Sequence, residues 1–305
     1  MNVIYQDTDI TNFVIPSACD YKDVSHGKAD TLDISFRRSA AWHRWQPEID
    51  DTIQITEGKF DTGILYVNTI VPSGNAYRIL ASSLPSKATR KAWGAYRDMT
   101  LADIVHRCAA ECGMKERLYG VDGNVRYPFL MRQNEGCAAF LERLMKCEGV
   151  ALKAWSGSFR GIGIEYAQEL DAIRSWDLDA EQTGVKYQHQ PGRKYTSVTV
   201  RSPWAEATAR DSGAEKGYQI TVSDLPAMDN VQAGRWARGL LLCHNRETDR
   251  LSIELKLDTA VTAMTRANIT GNTDANGEWI IDEVEHDLYN KRTSVSMLRV
   301  IRSVR

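Results

Sequence analysis

The 305-residue chain lacks several things that would place it in a common functional class. It has no basic surplus: Lys and Arg total 38 against 40 Asp and Glu, a formal charge of −2. A protein whose main task is to grip phosphate backbones needs such a surplus, so no nucleic-acid specificity is expected. The basic run Lys87–Trp93 reads as a solvated face. No stretch approaches the ~20 apolar residues that span a bilayer, which speaks against stable membrane insertion. The N-terminal "MNVIYQDTDITNF" has neither a basic flank nor a continuous apolar core, so it is not expected to be a secretory signal. None of the six cysteines (Cys19, Cys108, Cys112, Cys137, Cys147, Cys243) forms a C-x-x-C pair. Zinc-ribbon and thioredoxin-type chemistry are therefore not indicated, and reduced core thiols are the expectation. His106 falls about 200° around a helix from Cys108, too far round to join it and Cys112 as a ligand set. Gly161 and Gly163 lack the third glycine of a dinucleotide fingerprint, and no helical pattern starts there. No cofactor and no metal are expected.

What the chain does contain is strand signal. "TLDISF" (Thr31–Phe36) alternates Leu32, Ile34 and Phe36 with polar residues, and Ile53 and Ile55 repeat the device in "DTIQIT". The apolar segment Gly63–Val71 and the segment Ala76–Ser82 follow, separated by the turn signal Pro72–Asn75. The pattern predicts a small antiparallel barrel or sandwich over residues 1–85, possibly completed by strands within 165–190. Residues 86–168 change period. Thr100 with Asp103 predicts a reciprocally capped helix ending at Gly113, and Phe140, Leu141, Leu144 and Met145 mark a second helix stopping by Gly149. Residues 169–305 return to strands with one helix over Asp229–Asn245.

Two segments repeat. After Gly63, apolar residues stand at Leu65, Tyr66, Val67 and Ile70; after Gly277, Trp279, Ile280, Ile281 and Val284 occupy the same offsets. Each glycine follows a β run ending in Ile-Thr (Ile55–Thr56, Ile269–Thr270), and each strand precedes a hairpin partner. The distance is too long for a solenoid, whose units stack every ~20–50 residues. Either two related β domains or coincidence in a strand-rich chain explains the pattern.

The acidic cluster Asp282, Glu283, Glu285, His286, Asp287 first suggests chemistry. Strict alternation places Asp282, Val284, His286 and Leu288 on one face and Trp279, Ile281, Glu283, Glu285 and Asp287 on the other. Asp282 and His286 are then ~13 Å apart, too far to share a metal. A polar strand end, with a hydrogen-bonding role for His286, is the expectation. Glu111, Glu116, Glu135 and Glu142 supply carboxylates for a peptidoglycan hydrolase, but no segment is large enough for an added lytic domain. The alternative function kept open is binding or cleavage of peptidoglycan, with the helical segment Thr100–Leu152 as the binding module. Eight tryptophans, among them Trp42, Trp45, Trp93, Trp155 and Trp204, are candidates for cores or interfaces.

Several stretches, in order along nearly the whole chain, resemble the phage late control D family, the baseplate hub proteins of contractile tails such as those of the T-even phages. They are Gly27–Phe36, Trp45–Thr56, Asp61–Ile70, "TLADIVHRCAAECGM", Arg132–Leu152 and "NGEWIIDEVEHDLYNKRTSVSMLRVI". One departure stands out: Gly136–Cys137 replaces the Ser-Asp pair that often opens the second helix, at a capping cost of ~1 kcal/mol. The resemblance implies a mainly β fold with an α+β insert, and two tube-protein-like antiparallel β-barrel domains related by internal duplication. It implies a non-enzymatic homotrimeric hub in the virion tail or baseplate, assembled in the host cytoplasm. Its expected partners are the tail tube protein, the central spike protein and other baseplate proteins. Two similar domains in each of three subunits would meet a six-fold tube on one side and a three-fold spike on the other.

Overall fold

The computed structural model describes residues 1–25, 27, 29–37, 46–74, 76–178, 184–214, 216–271 and 274–304. Trp42 and Trp45 lie outside the described residues. The first β unit holds β1 (Asn2–Tyr5), β2 (Thr8–Asp9), β3 (Ile15–Val24), β4 (Thr31–Arg37), β5 (Thr52–Glu57), β6 (Phe60–Asp61), β7 (Leu65–Ser73) and β8 (Ala76–Ser82). The alternation in β4 buries Leu32, Ile34 and Phe36 against Ile53, Ile55, Leu65 and Val67. Each such side chain contributes ~1.5–3 kcal/mol on burial.

A central layer follows: α1 (Ser86–Thr89), β9 (Ala92–Thr100), α2 (Leu101–Cys112), β10 (Lys115–Tyr119), β11 (Arg126–Glu135), α3 (Cys137–Cys147), β12 (Val150–Trp155), β13 (Ser158–Gly163) and α4 (Ile164–Glu169). Thr100 and Asp103 form the reciprocal capping box of α2, and Gly113 ends it in the left-handed conformation. Helix α3 opens at Gly136 with no side-chain cap, because a side chain there would collide with the backbone of Ala88 and Thr89. The short helix α4 begins directly after Gly163, where the sequence showed no helical pattern. A Cβ at Gly163 would lie 2.5 Å from the Gly120 carbonyl, so this glycine serves close backbone packing.

The rest comprises β14 (Ala172–Asp177), β15 (Lys186–His189), β16 (Tyr195–Arg201), β17 (Glu206–Arg210), β18 (Tyr218–Val222), α5 (Asn230–Asn245), β19 (Asp249–Lys256), β20 (Arg266–Thr270), β21 (Gly277–Asp287) and β22 (Arg292–Arg299). Two points depart from the expected division of the chain. Strands β14 and β15 join β20 and β19, so they complete the second unit and not the first. The sheet β17-β16-β18 and helix α5, expected within the second β domain, bury Val198, Val200, Trp236 and Leu241 in the core of the central layer. Helix α5 crosses α3 so closely that a Cβ on Gly239 would strike the Cys147 carbonyl at 2.2 Å. The third segment is thus split by packing: its outer strands form the second unit, its middle thickens the insert.

The strand order of the large sheet is β15-β19-β22-β21-β3-β4-β8-β7-β5-β1-β2, with β20 and β14 branching from β21. The two units therefore share one sheet, joined where β21 pairs with β3. Their own orders match: β3-β4-β8-β7-β5 in the first, β15-β19-β22-β21-β20 in the second. The sixth strands differ, since β1 pairs antiparallel with β5 whereas β14 pairs parallel with β20.

Candidate functional site

The repeat extends to single hydrogen bonds. Leu65 and Tyr66 pair with Ile53 and Thr52; Trp279 and Ile280 pair with Ala267 and Arg266, every residue displaced by the distance from Gly63 to Gly277. Asp50 and Met264, again equivalent, both have positive φ (68° and 63°). Asp50 N–H donates to Val67 O and Val67 N–H to Asp51 O; Met264 N–H donates to Ile281 O and Ile281 N–H to Thr265 O. The ladder to the hairpin partner is interrupted at Asn68 in β7 and at Asp282 in β21, the same offset after each glycine. Gly63 and Gly277 themselves have φ of +68° and +132°. Tyr21 and Tyr187, opposite Leu32 and Leu251 on the next strands, each donate a phenol hydrogen bond to a buried carboxylate, Asp30 (3.2 Å) and Asp249 (3.3 Å).

The bulge corrects the face assignment made from alternation. It shifts the period by one residue, so Val284 joins Trp279 and Ile281 in the second core, and Asp282 is drawn into the interior. Asp282 accepts from Ser25 Oγ at 2.5 Å and pairs with Arg246 at 3.2 Å, Arg246 being almost fully buried. Ile280 packs in a small separate cluster with Ala151, Ala167 and Met264, against the central layer. Leu65 and Val67 are buried in the first core with Ile70 packed at its margin; Tyr66 is half-buried.

The seam between the units is polar at its heart. Lys153 of β12 reaches Asp23 of β3, and also Asp30 at 2.9 and 3.0 Å. Asp23 accepts in addition from Thr262 Oγ1 (2.5 Å) and Ala263 N–H (3.0 Å) of the second unit. One ammonium thus serves two buried carboxylates. Burial, opposed by Lys153 and reinforced by the nearby Asp23 charge, pushes Asp30 up to about 6. His286 is buried beside this network. Its Nδ1 lies 3.0 Å from Thr293 Oγ1 and its Nε2 3.3 Å from Val261 O, which fits a neutral ring with the proton on Nε2. Its ring stands against Tyr21 and Phe60, and burial lowers its pKa. Tyr21, Asp23, Phe60, Lys153 and His286 line an open cleft of about 580 Å³ whose walls also include Trp155 and Arg160. Arg160 lies over Trp155 at 4.1 Å, whereas Trp93 and Trp204 are exposed.

Other candidate groups are dispersed. His106 pairs with Glu116 (2.8 Å), Glu111 with Arg132 (2.8 Å) and Glu135 with Arg143 (2.6 Å). Among the described residues no group of three or more His, Cys, Asp or Glu side chains is arranged to hold a metal ion. All six cysteines are free and buried. Sequence reasoning missed that Cys137 meets Arg132 Nη1 at 2.5 Å and Glu111 at 3.2 Å. Hydrogen bonds from Cys108 and Cys112 lead the causes that draw its thiol well below the usual range. No helix among the described residues is long and apolar enough to cross a membrane.

No protein-family model and no curated protein matches the sequence. Solved structures do. A 43 kDa tail protein of prophage MuSo2 from Shewanella oneidensis superposes with a TM-score of 0.75 at 12% identity, over 98% of this chain and 97% of that one. A tail protein from Neisseria meningitidis MC58 gives 0.76 at 10% identity, over 98% and 95%. An Escherichia coli component of the type VI secretion system, structurally similar to the T4 phage tail proteins gp27 and gp5, gives 0.62 at 13% identity, over 95% and 74%. The chain has the fold of these tail proteins along its whole length.

Proposed function

We propose that the protein is a structural hub of a phage tail or related injection device, of the late control D type. In this reading three copies form a ring in the tail baseplate, with two quasi-equivalent β units per copy. The ring presents six similar faces to the tail tube protein and remains three-fold toward the central spike protein, with other baseplate proteins around it. It is built in the host cytoplasm and carried in the virion tail. The observation that carries the reading is the matched register of the two units, down to the Asn68 and Asp282 bulges and the Asp50 and Met264 turns. Two such units side by side in one sheet are what a ring of repeated β units requires of a single chain. Three of the carboxylates that a hydrolase would use, Glu111, Glu116 and Glu135, are each engaged by a cationic or histidine partner, which supports a role without catalysis.

The test is native mass measurement of the purified chain with and without its spike and tube partners. Three copies in the complex are expected. A stable dimer or a six-copy ring would overturn the reading.

A further inference from the structure

The seam within the chain uses one strand from each unit, and each of those strands has an equivalent whose corresponding edge is unpaired among the described residues. In the seam, the late half of β21 pairs with β3: Glu283 with Val24, Val284 with Asp23, Glu285 with Lys22, His286 with Tyr21, Asp287 with Asp20. The equivalent of β21 is β7, and the equivalent of β3 is β15. On the side away from β8, β7 is bonded only as far as Val67, and β15 is bonded only to β19 among the described residues. The stretch Thr69–Pro72, exposed except for the half-buried Ile70, is thus a vacant counterpart of Glu283–His286, and Lys186–Gln190 a vacant counterpart of Asp20–Val24.

We propose that β15 of one copy adds to the late half of β7 of the next in the register of the internal seam: Thr69 opposite Gln190, Ile70 opposite His189, Val71 opposite Gln188, Pro72 opposite Tyr187, Ser73 opposite Lys186. No like charges face each other in this register, whereas the internal seam sets Asp20 against Asp287. The two surfaces are different and complementary, so the contact is heterologous and can close by rotation. The proposal rests on the ring reading and specifies its subunit contact.

The outer junction is built weaker than the inner one. In the seam, Leu288 N–H donates to Cys19 O and Ser25 N–H to Asp282 O, which fixes the bonded pairs at His286–Tyr21 and Val284–Asp23 by the alternation of an antiparallel ladder. Pro72 stands where His286 stands, and Pro191 where Ser25 stands. Both donors are missing from the outer junction. Proline on an edge strand limits uncontrolled strand addition, so these two make association of free copies weak and concentration-dependent while leaving the Ile70–His189 bonds available.

Disulfide trapping tests the register with the full chain at high concentration. The six native thiols are buried, so introduced cysteines react first. In the Val71→Cys/Gln188→Cys double variant the two positions form a non-bonded pair, with Cα atoms ~4.5 Å apart, within disulfide reach. In Thr69→Cys/Lys186→Cys two equally exposed positions lie four residues out of register, ~13 Å apart, and cannot bridge. Oxidation with glutathione disulfide is expected to give a ladder of linked chains ending in a covalently closed three-chain species from the first variant and none from the second. Equal yields from the two, including no product from either, would overturn the edge pairing. A three-copy native mass together with equal yields would overturn the pairing and leave the ring reading standing. Selective linking of the first variant into open chains that never close would support the pairing and overturn the ring.

Discussion

Asp282 and Asn68 occupy the same bulge of the same strand in two copies of one unit, yet Asp282 is buried and paired with Arg246 while Asn68 is exposed. The difference marks which copy of the surface is already in use. Asp282 closes the seam between the units; its counterpart sits on an edge that is open in the single chain.

Removing the carboxylate at this seam should be costly. Asp282→Ala leaves the Arg246 guanidinium in the interior without its carboxylate, and is expected to destabilise the chain by about 3–5 kcal/mol. Asn68→Ala should stay within about 0.5 kcal/mol. Urea denaturation of the two variants checks the contrast; equal midpoints would contradict the assignment of the seam.

Acid should act on the seam with two opposite signs. Asp30 titrates near 6 in the folded chain against 3.8 when unperturbed, so its contribution is fully present below about pH 4 and is lost as pH rises through about 6. His286 is lowered from 6.5, so its contribution is present above that value and is lost as pH falls through the lowered one. Between about pH 7 and pH 5 the two effects oppose. Asp30→Asn should therefore lose stability on acidification, and His286→Asn should gain it. Denaturation midpoints at the two pH values read both slopes.

The two repeat glycines should not tolerate side chains equally. At Gly63 a Cβ meets Ser156 Cβ at 2.8 Å and its Cα at 3.2 Å, besides the positive φ. At Gly58, also left-handed, nothing among the described residues lies within 4 Å. Gly63→Ala is expected to cost about 1–3 kcal/mol in strain plus the displaced contact, and Gly58→Ala about 1 kcal/mol. At Gly277 the only close atom among the described residues is Arg299 Nη1 at 3.1 Å, the end of a flexible side chain, so strain dominates there. Thermal melts of the three variants rank them.

Pro72 is expected to act as a brake on association. Pro72→Val restores an edge donor with a strong strand former and should raise concentration-dependent association, read by analytical ultracentrifugation, with little change in the melting temperature. An unchanged association constant would mean that the β7 edge is not a contact.

Local signals were legible wherever a single residue decides the geometry. Thr100 with Asp103, Gly113 and Asp229 mark helix ends by hydrogen bonds and φ, and the helices stand there. The apolar offsets after Gly63 and Gly277 likewise mark two strands. What escaped was non-local. Strict alternation misassigned Val284 because a bulge adds one residue without any distinctive side chain to announce it. The pairing of β21 with β3 joins residues hundreds of positions apart, and nothing in either strand's period selects the other. Chain order groups helix α5 with the second β domain, while the close approach of Gly239 to Cys147 draws it to the central layer. The Cys137–Arg132–Glu111 cluster is likewise a product of packing between α2, β11 and α3.

In the proposed ring, two equivalent β units per chain and three chains convert a six-fold neighbour into a three-fold one. An electron-microscopy reconstruction of the assembled tail measures this directly. It should show three copies with six alternating β units at near-equal spacing around the axis, β15 of each copy lying on β7 of the next. Six copies per ring, or a ring in which only one of the two units faces the tube, would contradict it.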